Sequence, residues 1–144
     1  MKSCLIIIGY TFLFAIAGYS QKVNGKEIPG AVQTAFNTKF SGASNVKWEK
    51  ESKDELEANF KMNNNDVSAN FKLDGTWVET ETTIPANQLP AAVTSAVNKK
   101  FPGAIYERTE KIEKPGSKTL YEVNVKVNGK KKEMELSEDG SFKK

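Results

Sequence analysis

The sequence predicts an α+β protein made of two tandem α-β4 units, each consisting of one helix packed on a four-stranded antiparallel sheet. Two observations lead to this prediction. Residues 29–43 and 90–104 match at a constant offset of 61 with nine identical positions out of fifteen, which indicates an internal repeat. After each copy, the spacing of apolar residues changes from the 3–4 spacing of a helix to the strict alternation of a strand.

Residues 1–20 have the features of a secretory signal peptide. Lys2 precedes an apolar run over residues 5–17, and small residues follow that run. The run is shorter than the ~20 apolar residues of a transmembrane helix, and an uncleaved anchor is the alternative interpretation. Cleavage fits after residue 17 or after Ser20, and we favour Ser20. We therefore expect a periplasmic or secreted protein that has no membrane attachment after cleavage.

We assign residues 21–83 to the first unit. Residues 21–28 are polar and are predicted to be frayed. A helix begins at Pro29, a residue favoured in the first helical turn, and Gly42 ends it. Four strands follow in which apolar residues alternate with polar ones, as expected for an antiparallel sheet with one covered face: Val46–Glu49, Glu55–Met62, Val67–Leu73 and Thr76–Thr83.

We assign residues 84–144 to the second unit, in which a helix begins at Pro90. The strand at residues 104–112 has two possible registers, because Ile105 and Tyr106 compete for the inner face. A last strand is expected at Phe142, after a turn that repeats the one before Trp77. Because each unit alone would be marginal in size, we expect the two to pack together or to extend their sheets into one body.

The composition excludes several classes of function. The sequence contains no histidine, which removes Ser-His-Asp and Cys-His catalysis and the commonest transition-metal ligand. The single cysteine, Cys4, lies at the wrong end of the apolar run for a lipid anchor. The net charge is +3 with the two signs interspersed, and the short lysine runs carry no interleaved aromatic residues. No nucleic-acid partner is therefore predicted.

Two polar segments were candidates for chemistry and are better explained by structure. Asn63–Asp66 lacks the spaced acidic ligands and the closing glutamate of a calcium loop, so it is predicted to be a turn. A group of carboxylates that alternate outward beside lysines is predicted to form a solvated face and not an acid–base pair: Glu49, Glu51, Asp54, Glu55 and Glu57. We predict no catalytic residue, no metal site and no cofactor, and hence no enzyme.

Three repeated motifs resemble those of a known family. Besides the helix motif, a Glu-x-Asn strand recurs at residues 57–61 and 122–126, and Asp-Gly-Thr-Trp at residues 74–77 recurs as Asp-Gly-Ser-Phe at residues 139–142. Together with the predicted signal peptide, they resemble the beta-lactamase-inhibitor-like, PepSY-like exported proteins of Bacteroidota, over about residues 28–144.

The resemblance implies tandem α-β4 units, as in the beta-lactamase inhibitory protein, and a role in binding an exported protein. The resemblance to PepSY-type domains further implies the restraint of a secreted peptidase. No contact residue is carried over from the inhibitor, because no loop of this sequence matches it position by position. The two disulfides of that inhibitor have no counterpart in this chain.

Aromatic residues are the best candidates for a contact surface, since aromatics anchor protein interfaces. Trp48 is predicted to lie under the first helix. Trp77 directly follows a turn, with core packing as the competing interpretation, and Tyr106 is the second candidate for binding. We predict an exported, non-catalytic protein-binding module that inhibits or regulates a secreted peptidase or another envelope protein. The alternative is a carrier of a small ligand in a helix–sheet cleft, which would need a deep apolar cavity.

Overall fold

The computed structural model describes residues 21–143, so the predicted signal peptide at residues 1–20 lies outside the described residues. The described chain forms one antiparallel sheet of eight strands whose spatial order is their order in the chain. The strands are β1 Gln21–Val23, β2 Ser44–Lys50, β3 Glu55–Met62, β4 Asn65–Lys72, β5 Trp77–Thr83, β6 Ile105–Glu113, β7 Leu120–Val127 and β8 Lys130–Ser137. Helix α1 spans Gly30–Lys39 and helix α2 spans Ala91–Lys100. Among the described helices, none has the length and apolar character needed to cross a membrane.

The predicted fold class, two tandem helix-plus-four-strand units, is wrong. Strands β5 and β6 pair from Thr80↔Glu113 to Thr83↔Glu110, so the sheet continues through the expected boundary between the units. Separate sheets would leave an edge of β5 and an edge of β6 with unpaired backbone N–H and C=O groups. Pairing the two edges satisfies both rows of groups and removes two exposed edges.

The strands also do not divide into four and four. Residues 21–23, which were predicted to be frayed, form β1 and pair with Lys50–Trp48 of β2. Where an eighth strand was expected at Phe142, the described residues show an isolated bridge to Leu136. Residues 21–23 are ordered by backbone pairing to β2. The polarity of a segment alone does not reveal such pairing.

Both helices pack on the same face of the sheet, which we call the helix-bearing face. Helix α1 buries Val32 and Phe36 against β3 and β4, and α2 buries Val93 and Val97 against β7 and β8. The space under α1 is filled by aromatic rings whose centroids lie between 4.8 and 5.5 Å apart, those of Phe36, Phe40 and Phe60. The predicted helix positions are confirmed, since Pro29 and Pro90 cap the two helices.

The two Asp-Gly turns lie directly against the first turns of the helices. A Cβ on Gly75, which has φ +88°, would lie 2.7 Å from the carbonyl oxygen of Ala31 in α1. A Cβ on Gly140, which has φ +82°, would lie 2.5 Å from the carbonyl oxygen of Ala92 in α2. Glycine is therefore required at both turns for its left-handed backbone and for the close approach of a helix.

Irregular pairing sets the orientation of side chains in β2, β5 and β6. In β6, the irregularity between Tyr106 and Arg108 places Tyr106 opposite Val125 on the helix-bearing face and leaves Ile105 66% exposed. This resolves the register that the sequence left open. An extra residue in one strand breaks the period of two, so alternation alone could not decide it.

Candidate functional site

The face of the sheet opposite the described helices, which we call the open face, carries a row of carboxylates from β3 to β8. Direct pairing places Glu81 beside Ser68 on one side and Ile112 on the other, and places Glu122 between Glu110 and Glu135. The central part of the open face consists of Glu57, Asn59, Ser68, Asn70, Glu79, Glu81, Arg108, Glu110, Ile112, Glu122, Asn124 and Glu135. Lys47 and Lys61 lie at its edge, beside Asn59.

The centre of the open face is buried although neither described helix covers it. Ile112 is 2% exposed and Glu110 is 5% exposed. Glu57, Glu81 and Glu122 are half-buried. The neighbouring side chains of the same face therefore exclude water from one another. The sequence placed Glu57 on a solvated face, and the structure corrects this.

The repeated Glu-x-Asn motif holds two of these carboxylates in place. Asn59 Nδ2 donates a hydrogen bond to Glu57 Oε2 at 3.0 Å, and Asn124 Nδ2 donates one to Glu122 Oε1 at 2.7 Å. Burial raises the pKa of both carboxyl groups, and the hydrogen bond from the asparagine partly offsets this rise. The motif therefore fixes one carboxylate on each side of the β5–β6 junction.

Glu81 lies in β5, between these two carboxylates. Its Oε2 accepts a long hydrogen bond of 3.5 Å from Ser68 Oγ. Burial, and then the charges of four nearby glutamates, raise the pKa of Glu81 from 4.5 to about 7: Glu110, Glu79, Glu122 and Glu57. The side chain therefore changes its charge near neutral pH.

Two ion pairs neutralise part of the row. Arg108 donates to Glu110 Oε1 at 2.7 Å, and Lys114 Nζ lies 2.9 Å from Glu79 Oε2. Among the described residues, no lysine or arginine lies within ion-pair distance of the other central glutamates, Glu57, Glu81 and Glu122. Among the described residues, the three central carboxylates therefore have no direct ion-pair partner.

A shallow depression of about 150 Å³ lies on the open face between β3 and β6. Its lining includes Glu57, Ser68, Glu81 and Glu110. Small-molecule sites usually measure roughly 300–1,000 Å³, so this depression has room for an inserted side chain and not for a drug-sized ligand. Within residues 21–143, no group of three or more potential ligand side chains is arranged to hold a metal ion.

The two aromatic residues predicted to bind a partner lie on the helix-bearing face. Trp77 packs against the first hydrophobic cluster, and Lys39 Nζ lies 3.5 Å from the centre of its ring. Tyr106 packs against the second cluster, and its hydroxyl lies 3.0 Å from Asn98 Oδ1 of α2. The structure thus packs the two residues into different clusters, and their role in binding stays a prediction.

Sequence reasoning missed Glu81 and Glu110 because it left open whether the sheets of the two units join, and so did not place β5 beside β6. A signal was present, since polar residues occupy both faces of each strand: residues 79–83 read Glu-Thr-Glu-Thr-Thr, and residues 107–111 read Glu-Arg-Thr-Glu-Lys. Such strands lack the apolar face of an ordinary outer strand. They are stabilised instead by strand pairing on both sides.

A family model described as "Putative beta-lactamase-inhibitor-like, PepSY-like" matches residues 54–144. The chain belongs to this family. The match runs from β3 to the end of the chain and so includes the central part of the open face. The resemblance inferred from the repeated motifs is thereby confirmed.

Three solved structures similar to this PepSY-like chain come from Bacteroides. A "putative periplasmic" protein of Bacteroides eggerthii is 22% identical, with a TM-score of 0.75, over 81% of this chain and 86% of that one. A DUF2874 family protein of Bacteroides ovatus is 24% identical, with a TM-score of 0.72, over 81% and 84% of the two chains. A "BLIP-like" protein of Bacteroides fragilis is 26% identical, with a TM-score of 0.72, over the same shares, 81% and 84%.

These similarities show that the fold is shared. The description of similar structures as periplasmic agrees with the periplasmic or secreted location predicted from the sequence. No match was found among curated proteins.

Proposed function

We propose that this protein is an exported, non-catalytic protein-binding module whose open face binds a basic surface of another exported or envelope protein. The observation that carries the proposal is the row of half-buried carboxylates, because Glu57, Glu81 and Glu122 have no counter-charge within ion-pair distance among the described residues. Lysine or arginine side chains of a partner would supply that charge. Electrostatic complementarity of this kind gives specificity and speeds association.

The open face is organised before a partner arrives. Asparagine side chains hold Glu57 and Glu122, and Arg108 holds Glu110. All of these side chains stand on paired strands of one sheet. A partner would therefore order few side chains on binding, which lowers the entropic cost of association.

The family description and the BLIP-like neighbour support an inhibitory or regulatory role. Within the broad class of protein-binding modules, we propose that the protein restrains a secreted peptidase or another envelope protein. Periplasmic export, with cleavage after Ser20, is part of this proposal.

Catalysis is the less favoured function for the same carboxylates. A general acid with a raised pKa needs a pocket in which a substrate is held within hydrogen-bond reach. The depression beside Glu81 measures about 150 Å³, which leaves little room for a substrate. The absence of histidine from the sequence removes the commonest partner for proton transfer.

Within the described residues, the packing under α1 argues against the small-ligand carrier. The predicted cleft between α1 and the sheet is occupied by the rings of Phe36, Phe40 and Phe60. The cavity beside Trp77, of about 280 Å³, lies at the end of that cluster and is also lined by polar side chains such as Asn63 and Glu113. A binding role for Trp77 and Tyr106 would instead require a second interface, on the helix-bearing face.

Affinity capture from periplasmic extracts, with mass spectrometry, tests the proposal. The double variant Glu81→Gln/Glu122→Gln removes two charges from the open face while preserving side-chain shape. Its control, Asp54→Asn/Glu138→Gln, makes the same charge change at exposed positions. We expect the first variant to lose the captured protein and the control to retain it, whereas equal capture by both would reject the open face as the binding surface. Equal capture by Trp77→Ala and by the natural chain would remove Trp77 from the contact surface.

A further inference from the structure

We propose that the open face is a pH-dependent clamp, which holds a basic partner segment near neutral pH and releases it as its central glutamates take up protons. This inference rests on the proposed function and deepens it, because it names both the chemistry of the partner and the regulation of the same face. The proposed partner is a protein segment that inserts a lysine or arginine side chain into the depression beside Glu81.

The geometry that supports the clamp is the clustering of several carboxylates around Glu81. The groups that face Glu81 come from five strands and are predominantly acidic or neutral: Glu57 from β3, Ser68 and Asn70 from β4, Glu79 and Thr83 from β5, Glu110 and Ile112 from β6, and Glu122 from β7. Two cations, Arg108 and Lys114, interact with the charge of Glu81, and each of them already pairs with a different glutamate.

Protonation of the cluster is easier than that of an exposed carboxyl group. Burial raises the pKa of Glu57 and of Glu122, and burial together with neighbouring charge raises that of Glu81 to about 7. These carboxyl groups interact, so the uptake of one proton changes the affinity of its neighbours for the next. The negative charge of the free open face therefore falls over the range from neutral to mildly acidic pH.

A bound cation has the opposite effect. An ammonium or guanidinium group within hydrogen-bond distance of Glu81 favours its charged form and lowers its pKa. Binding near neutral pH must then release protons, and by linkage a lower pH must weaken binding. If protonation removes one ion pair that contributes about 1.4 kcal/mol to binding, the dissociation constant rises tenfold.

The test uses the mature chain and a synthetic lysine-rich peptide as the probe. Isothermal titration calorimetry at about pH 5.5 and about pH 8, in low salt, gives the dissociation constants of the peptide. We expect binding to be about tenfold weaker at the lower pH. Repeating the titration at neutral pH in two buffers of different ionisation enthalpy measures the protons released. NMR chemical shifts of the backbone amides identify the face that the peptide contacts.

Two variants assign the effect to the cluster. Glu81→Gln removes the central titrating group, so its peptide affinity should depend less on pH than that of the natural chain. Glu138→Gln is the matched control at an exposed position and should retain the full pH dependence. If Glu81→Gln keeps the same dependence as the natural chain, Glu81 is not the switch and the inference is wrong.

The outcomes separate the two proposals. A peptide that shifts open-face amides but binds equally at both pH values overturns the clamp and leaves the proposed binding face intact. A peptide that shifts no open-face amide at either pH overturns the charge-based binding proposal, and the clamp with it. Weaker binding at low pH, with proton release and dependence on Glu81, supports both.

Discussion

Replacement of Gly140 by alanine tests how closely the sheet turns support the helices. The turn at Gly140 approaches the first turn of α2, and an added Cβ would lie 2.5 Å from the Ala92 carbonyl oxygen and 3.3 Å from the Ala96 Cβ. The matched control is Gly129→Ala. Gly129 also has a left-handed backbone, with φ +77°, but no atom lies within 4 Å of its added Cβ.

The two variants separate backbone strain from steric contact. Alanine in a left-handed conformation costs about 1–2 kcal/mol, and both variants should lose this amount. At Gly140 the methyl group also meets a helix backbone, which can move only if α2 shifts on the sheet. Overpacking of this kind costs about 1–3 kcal/mol more. We therefore expect a total loss of about 2–5 kcal/mol for Gly140→Ala and about 1–2 kcal/mol for Gly129→Ala.

Urea unfolding provides the measurement, with far-UV circular dichroism and tryptophan fluorescence recorded on the same samples. Coincident transitions would justify a two-state free energy of unfolding. If the two alanine variants lose the same free energy, the close approach of Gly140 to α2 is not what makes glycine necessary there. The repeated Asp-Gly motif would then reflect turn conformation alone.

Three further predictions concern the two faces of the sheet. The pKa of Glu81 rises from 4.5 to about 7 on folding, so its ionisation lowers the free energy of unfolding as pH rises through that range. The loss would be about 3 kcal/mol for a fully buried carboxyl group, and partial solvation reduces it to about 1–2 kcal/mol. Glu81→Gln should therefore raise the free energy of unfolding, measured by urea titration, by about 1–2 kcal/mol at about pH 8.5 and by almost nothing at about pH 4. Arg108→Gln should lower the free energy of unfolding by about 1–3 kcal/mol at neutral pH, because Glu110, which is 5% exposed, loses its ion pair. The double variant Arg108→Gln/Glu110→Gln should recover part of this loss in the same assay. Trp77→Ala should lower the thermal midpoint, since it removes a half-buried ring that packs on the first cluster and under Lys39; an unchanged midpoint would show that this packing contributes little.

The positions of the helices and hairpins were predictable because they depend on neighbours in the chain. The 3–4 spacing from Val32 to Phe40 makes one apolar stripe, whatever that stripe later contacts. Asn128 and Gly129 adopt positive φ values of 49° and 77°, as their residue types favour in a tight turn. The predicted alternation in Glu55–Met62 likewise holds along β3, where every second side chain is buried up to Phe60.

The candidate site was predictable only in part. The Glu-x-Asn motif was visible in the sequence, yet the hydrogen bond that each asparagine donates to its glutamate needed the structure. Trp77 was chosen because it is a large aromatic residue beside a turn. Its residue type does not reveal that Lys39 of α1 lies over its ring.

By itself, the sequence determined the repeat, the two helices, the strand alternation and the family, because each of these follows from residue types at short and regular spacings. Only the tertiary structure decided that β5 pairs with β6, that the irregular pairing in β6 turns Tyr106 toward α2, and that Glu81 is partly buried among other carboxylates. These features depend on backbone hydrogen bonds between residues distant in the chain, as between Glu81 and Ile112, and on the exclusion of water that follows from them. Local patterns of polarity contain no information about which two strand edges will meet.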